Sequence, residues 1–264
     1  MDLELQGKLA LVTGSTAGIG YAIAEGLARE GASVVISGRS PSRLNDALAR
    51  IQKKYPKSQV EGFCGDLSTA EACNSLTAKH PAIDILVNDL GIFNPQPFAE
   101  ITDDEWRRFF EVNVLSGVRL SRSYLPEMKK KNWGRIVFIS SESAIHIPLE
   151  MIHYGLTKTA QLAISRGLAE SRANTGVTVN AVLPGPTASE GVGDFVSSLA
   201  AQMNQSPAEF EKFFFEKVRP TSLLKRFATT EEVANLVVFV CSPLASATNG
   251  AALRVDGGVV RSIV

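Results

Sequence analysis

Seven short apolar runs punctuate the chain: "KLALVTG", "SVVISGR", "VEGFCGD", "IDILVND", "GRIVFIS", "TVNAVLP" and "GAALRVDGG". Each has strand length and stops at a glycine, a proline or a polar residue, and the stretches between them carry apolar residues at helical spacing. Between the second and third runs, Leu44, Ala47, Leu48 and Ile51 form one buried stripe. A Ser or Thr three residues ahead of a Glu marks helix starts at Ser68 with Glu71, Thr102 with Glu105 and Thr229 with Glu232, after the third, fourth and sixth strands. This alternation predicts an α/β fold: right-handed βαβ units in a doubly wound, seven-stranded parallel sheet with helices on both faces.

One stretch departs from the alternation. Between "LPGPT" and "TTEEVANLVVFV" about forty residues hold two helical segments, the second of which, "PAEFEKFFFEKVR", brings Phe210, Phe213 and Phe214 onto a shared face. An excursion after a strand's carboxyl end is a candidate substrate lid, here over residues 187–226, because open parallel sheets bind ligands at that edge. No repeat, low-complexity tract or linker divides the rest, so residues 1–264 are read as one domain.

Composition narrows the partner. Lys plus Arg, 27, equals Asp plus Glu, 27, which removes the global field that would draw the chain to nucleic acid or an anionic membrane and leaves a small molecule as the expected ligand. The three cysteines, Cys64, Cys73 and Cys241, have no paired metal-ligand spacing and suit a reducing compartment, so no metal is expected. The N-terminal stretch lacks the basic and apolar regions of a signal peptide, and no apolar run approaches the ~20 residues of a membrane span. The expected location is the cytoplasm.

The first strand feeds "TGSTAGIG", in which Gly14, Ser15, Thr16, Gly18, Ile19 and Gly20 lead into an amphipathic helix. Such a turn aims free backbone N–H groups and the positive end of a helix at one spot, which suits a dinucleotide pyrophosphate. At the second strand's end, Gly38 stands where an acid would bind the ribose hydroxyls, and Arg39 follows. A guanidinium without a neighbouring carboxylate favours a 2'-phosphate, hence NADP(H) over NAD(H).

Chemistry-bearing residues cluster in "SSESAIHIPLEMIHYGLTK". Tyr154 and Lys158 lie four apart, on one helical face, where an ammonium can stabilise phenolate. Ser141 ends the fifth strand, thirteen residues before the tyrosine, within reach of a substrate oxygen. On the helix "DEWRRFFEVNVLSGVRL", Trp106, Phe109, Phe110 and Gly117 define a buried stripe on which Asn113 also falls.

Together these features resemble the short-chain dehydrogenase/reductase family in its compact single-domain, Rossmann-like form, over nearly the whole chain. The resemblance implies Asn113, Ser141, Tyr154 and Lys158 as the catalytic set. It adds Asp66 with Leu67 on the adenine side, Asn88 and Gly91 along the adenosine, and Pro184, Gly185 and either Thr187 or Ser189 at the nicotinamide carboxamide. It further implies carbonyl–alcohol interconversion on a ketone or secondary alcohol, with Lys158 lowering the pKa of Tyr154 and Asn113 anchoring a proton-relay water. A homotetramer is implied as well. A silent dinucleotide sensor or an oligomeric scaffold of the same fold is the alternative. The sequence departs from the family at "NDLG", where Asp89 and Leu90 replace an asparagine and an alanine. His146, Glu150 and His153 are candidates for polar substrate contacts, while the Phe-bearing lid favours an apolar substrate.

Overall fold

The computed structural model describes residues 1–191, 193, 200, 203 and 205–263. Its centre is a seven-stranded, wholly parallel sheet in the order β3-β2-β1-β4-β5-β6-β7. The strands are β1 (Leu9–Val12), β2 (Ser33–Gly38), β3 (Val60–Cys64), β4 (Ile85–Asn88), β5 (Gly134–Ile139), β6 (Val177–Pro184) and β7 (Ala252–Val255). All seven predicted runs are present. The order reverses between β1 and β4, which opens a crevice at the carboxyl ends of those strands.

Strand periodicity splits the core into two layers. Ala10, Val12, Val34, Ile36, Val87 and Ile139 face α1 (Gly18–Arg29), α2 (Pro41–Lys54) and a late helix, α8 (Thr230–Val240). The intervening Leu11, Val35, Leu86, Ile136 and Phe138 face α3 (Ala70–Lys79) and α5 (Ser116–Lys131), and β6 packs on α6 (Ile152–Glu170). Leu44, Ala47 and Ile51 are buried on α2, with Leu48 at the edge of the stripe.

Two of the three predicted caps are observed. Thr102 accepts the Glu105 N–H to start α4 (Asp103–Phe110), and Thr229 with Glu232 forms a reciprocal capping box. At α3 the cap is Thr69, which accepts the Ala72 N–H; Ser68 gives its own N–H and hydroxyl to Asp66 instead. A capping box absent from the sequence reading, Ser206 with Glu209, opens the lid helix α7 (Pro207–Phe213).

The stripe on α4 is also corrected. Between α4 and α5 the chain widens into one π-helical turn, Glu111–Leu115. Steps of four residues stay aligned on that wider helix, so Phe109, Asn113 and Gly117 are buried together. Phe110 swings to the rim and is 40% exposed.

Candidate active site

A cavity of about 970 Å³ follows the carboxyl edge of the sheet, from the glycine turn at one end to Phe210, Phe213 and Phe214 at the other. Gly14, Gly18, Ile19, Gly91, Ser141, Tyr154, Lys158, Pro184, Gly185, Thr187 and Ser189 all line it, so most of the predicted site converges here. Among the described residues there is no cluster of three His, Cys, Asp or Glu that could hold a metal, and no helix long and apolar enough to cross a membrane.

At the glycine end, Gly14 and Gly18 stand at φ +63° and +60°, a conformation that side chains rarely adopt. Gly20 sits tighter still: a Cβ there would lie 2.7 Å from the Gly14 carbonyl oxygen. The hydroxyl of Ser15 is buried, donating to the Val12 carbonyl and accepting the Ser37 N–H, so it shapes the turn from behind rather than facing the cleft. The N-cap of α1, Ala17, offers no side-chain acceptor, which leaves the N–H groups of Gly18 and Ile19 without a side-chain cap at the cavity wall. This cradle fits a dinucleotide pyrophosphate.

The adenosine end carries Arg39, exposed and only loosely paired with Asp66 at 4.0 Å. A Cβ at Gly38 would lie 2.4 Å from the Thr16 methyl carbon, so the acid that would select an unphosphorylated ribose has no room as the turn stands. Leu67 is buried in the core beside this edge. Arg43 also lines the cavity, held at 2.7 Å by Glu190 from beyond β6.

The altered turn after β4 has a specific anchor. The hydroxyl oxygen of Thr13 accepts the backbone N–H of both Asp89 and Leu90, and the carboxylate of Asp89 accepts the N–H of Gly20 in the first turn of α1. Burial raises Asp89 above the ordinary carboxylate range, against the pull of Lys158 and the Gly20 N–H. Asn88 points the other way, its amide donating to Ser121 on α5, so it ties β4 to that helix instead of facing the cavity.

Tyr154 and Lys158 share one face of α6. The Lys158 ammonium lies 5.5 Å from the Tyr154 ring centre and donates to the Ile139 carbonyl at 2.8 Å. Burial lowers the lysine from its ordinary value, and Asp89 resists that fall. The phenol of Tyr154 is pushed well above its ordinary value, first by burial and then by Glu142 and Asp89; a hydrogen bond with Ser141 opposes the rise. The expected lowering of Tyr154 by Lys158 is not seen in this arrangement: burial, Glu142 and Asp89 raise the phenol, and the group that opposes them is Ser141.

Asn113 sits in the π-helical turn. Its amide clasps the backbone of Ile92, accepting the N–H at 2.8 Å and donating to the carbonyl at 3.0 Å, and donates to Thr157 on α6. That grip fixes Gly91 between Asn113 and Lys158: a Cβ on Gly91 would be 3.5 Å from the ammonium and 3.6 Å from the Asn113 carbonyl oxygen. Beyond β6, the Thr187 hydroxyl donates to the Gly185 carbonyl, and a Cβ on Gly18 would lie 3.4 Å from the Ser189 Cβ, so this loop closes over the glycine turn.

The sequence reading missed the groups around Ser141. Glu142, itself buried, accepts the Ser141 hydroxyl at 2.5 Å, and both the N–H and the hydroxyl of Ser143. Its other oxygen faces Arg219, a buried guanidinium a few residues beyond α7 that also reaches Glu150. The position of Glu142 beside Ser141 was a usable signal; Arg219, 77 residues away, offered none. Of the three polar substrate candidates, only Glu150 lines the cavity. His146 is exposed outside it. His153 is fully buried, its ring 4.0 Å from that of Phe109, and burial lowers its pKa. Phe210, Phe213 and Phe214 all line the cavity, while much of the first segment of the candidate lid lies outside the described residues.

Comparison with known proteins agrees with this geometry. The family model described as Enoyl-(Acyl carrier protein) reductase matches residues 14–260. The chain is 52% identical to the uncharacterized oxidoreductase YvaG of Bacillus subtilis, over all of both chains. It is 35% identical to the 3-oxoacyl-[acyl-carrier-protein] reductase FabG of Aquifex aeolicus, covering 98% of this chain and 100% of that one. A crystal structure of L-sorbose reductase from Gluconobacter frateurii, complexed with NADPH and L-sorbose, superposes with a TM-score of 0.94 at 31% identity over the full length of both. A putative gluconate 5-dehydrogenase from Beutenbergia cavernae with bound NADP gives 0.86 at 31% identity, over 99% of this chain and 100% of the other. The fold, the site and these likenesses agree: the chain belongs to the short-chain dehydrogenase/reductase family and is an NAD(P)-dependent oxidoreductase.

Proposed function

We propose that the protein interconverts a carbonyl compound and a secondary alcohol, with NADP(H) as its preferred cofactor, acting as a single cytoplasmic domain that assembles into a homotetramer. The observation that carries the reaction is the convergence of Ser141, Tyr154 and Lys158 on the cavity that begins at the glycine turn. The nicotinamide, when bound, supplies or takes up the hydride. The preference for the phosphorylated cofactor rests on Arg39 and on the crowding at Gly38. The NADPH and NADP bound in the two similar structures support it.

The side chains divide the remaining work. Tyr154, protonated at neutral pH, donates its proton to the carbonyl oxygen in reduction; in the reverse direction it first passes that proton towards Lys158 and, as phenolate, takes the proton of the alcohol. Ser141, whose hydroxyl donates to Glu142 in this arrangement, turns that proton to the same oxygen to hold it beside the phenol. Lys158 holds ribose hydroxyls and, with the Asn113 region at its flank, returns protons towards Tyr154. The backbone N–H groups at the start of α1 hold the pyrophosphate, Arg39 the 2'-phosphate, and the loop of Thr187 and Ser189 the carboxamide. Orientation of the reacting atoms and exclusion of water beneath the aromatic wall are the protein's share of the rate.

The test is a screen of ketones and secondary alcohols followed by NADPH absorbance, repeated with Tyr154→Phe. Turnover by the wild type and its loss in the variant, with NADPH binding retained, is the expected outcome. Retained turnover in Tyr154→Phe removes the assignment.

A further inference from the structure

We propose that Arg219, Glu142 and Glu150 form a polar subsite that recognises a hydroxyl group next to the reacting carbon, making the substrate a hydroxylated ketone or polyol. The proposal rests on the carbonyl–alcohol reading above and adds the substrate class.

The placement is specific. Glu142 is hydrogen-bonded to Ser141, so whatever meets the Glu142–Arg219 pair lies beside the atom that Ser141 holds. All three charged groups line the cavity, at the end where Phe210, Phe213 and Phe214 form its wall. Arg219 and Glu142 are each more than nine-tenths buried. A buried ion pair is not needed to hold such a lid, because apolar packing does that work at no desolvation cost. Phe214 already stacks on Phe227 at 5.2 Å.

The hydrogen bonds of the cluster are incomplete. Arg219 reaches Glu142 at 3.5 Å and Glu150 at 3.3 Å, well beyond the ~2.7–2.9 Å of a firm charge-assisted bond. Nη1 also donates to the Val218 carbonyl, and one hydrogen of Nη2 has no partner among the described residues. Among the described residues, the Glu142 oxygen that faces Arg219 receives only that long contact, whereas its twin is saturated by Ser141 and Ser143.

A group that donates to a carboxylate and accepts from a guanidinium at once complements these long contacts. A hydroxyl is such a group. An anionic substrate would meet two carboxylates against one guanidinium and be repelled. A purely apolar one would strip water from the cluster and return no hydrogen bond. The three phenylalanines are consistent with this class, since a polyol presents its C–H surface as well as its hydroxyls.

The test compares methyl butyl ketone with the ketohexoses fructose, sorbose, tagatose and psicose, which share a six-carbon chain and a carbonyl on the second carbon. With NADPH and the full chain, kcat/KM for the best ketohexose should exceed that for the plain ketone by roughly 100-fold or more, part of the ~10,000-fold discrimination open to a site built to hydrogen-bond a substrate hydroxyl. Arg219→Lys and Glu150→Gln should erode that ratio about tenfold, mainly through KM, and leave the NADPH dissociation constant unchanged. Equal or better use of the plain ketone, or variants that lower both substrates alike, overturns the subsite. Binding to Tyr154→Phe loaded with NADPH, read by NADPH fluorescence, needs no turnover. A ketohexose that binds there without being reduced by the wild type contradicts the reaction but supports the subsite; equal binding of the plain ketone overturns the subsite even if the reaction stands.

Discussion

At the glycine-turn end of the cavity the ligand-facing groups are mostly backbone. At the lid end they are side chains contributed by distant parts of the chain. Gly14, Gly18 and Gly20 act through what they lack, and the first turn of α1 supplies N–H groups that any residue would carry. Around Ser141, by contrast, the geometry depends on Glu142, Glu150 and Arg219, whose positions are set by one another across 69 and 77 residues. The first design tolerates little change of shape and is indifferent to the substrate. The second is free to vary in chemistry while the fold stays fixed, which is how one scaffold serves many substrates.

Three substitutions probe that contrast. The largest effect is expected from Gly20→Ala. Alanine gains about 1 kcal/mol in helix preference over glycine, but its Cβ would lie 2.7 Å from the Gly14 carbonyl and 2.5 Å from the Asp89 carboxylate. Crowding of this kind typically costs about 1–3 kcal/mol, so a thermal melt should fall by several degrees, and NADPH binding, measured by fluorescence, should weaken more than about tenfold. A variant that keeps both properties would mean the turn is looser than its contacts imply.

Arg39→Ala should act on the cofactor alone. NADPH affinity is expected to drop roughly tenfold, with NADH affinity and melting temperature unchanged, because the side chain is exposed and its pairing with Asp66 is long. Parallel losses for both cofactors would remove Arg39 from the 2'-phosphate site and shift attention to Arg43.

Asp89→Asn should have the smallest effect and a characteristic pH dependence. Because burial raises the folded-state pKa of Asp89, its contribution to stability is fully present below the unfolded carboxylate range, near ~4, and is lost as pH rises through the raised value. Asparagine does not ionise and keeps an acceptor for the Gly20 N–H. The variant should match the wild type in melting temperature in acid, gain on it from about pH 4 up to the raised value of about 7, and keep a constant advantage above that. Curves that run parallel across the range would contradict the buried environment assigned to Asp89.

What could be read from the sequence follows the same division. The strands, the glycine turn and the Tyr154–Lys158 pair are encoded in local spacing, so period and motif sufficed. Three features were not: the π-helical turn that expels Phe110 from the stripe, the exchange of roles between Ser68 and Thr69, and the burial of His153 against Phe109. Each depends on tertiary contacts that shift a pattern by one residue or by one face. The Arg219–Glu142 pair is the limiting case, because neither residue carries a local signal of its partner.

The central claim is that the residues gathered at the end of β5 and on α6 perform carbonyl–alcohol chemistry on a nicotinamide cofactor held at the glycine turn. The most direct measurement is the rate of NADPH oxidation with the best carbonyl from the screen, for wild type and Tyr154→Phe side by side, with the NADPH dissociation constant of each. The account predicts a loss of roughly 100- to 10,000-fold in turnover with unchanged NADPH affinity, as expected when a positioned general acid is removed. A variant that turns over at the wild-type rate would contradict it.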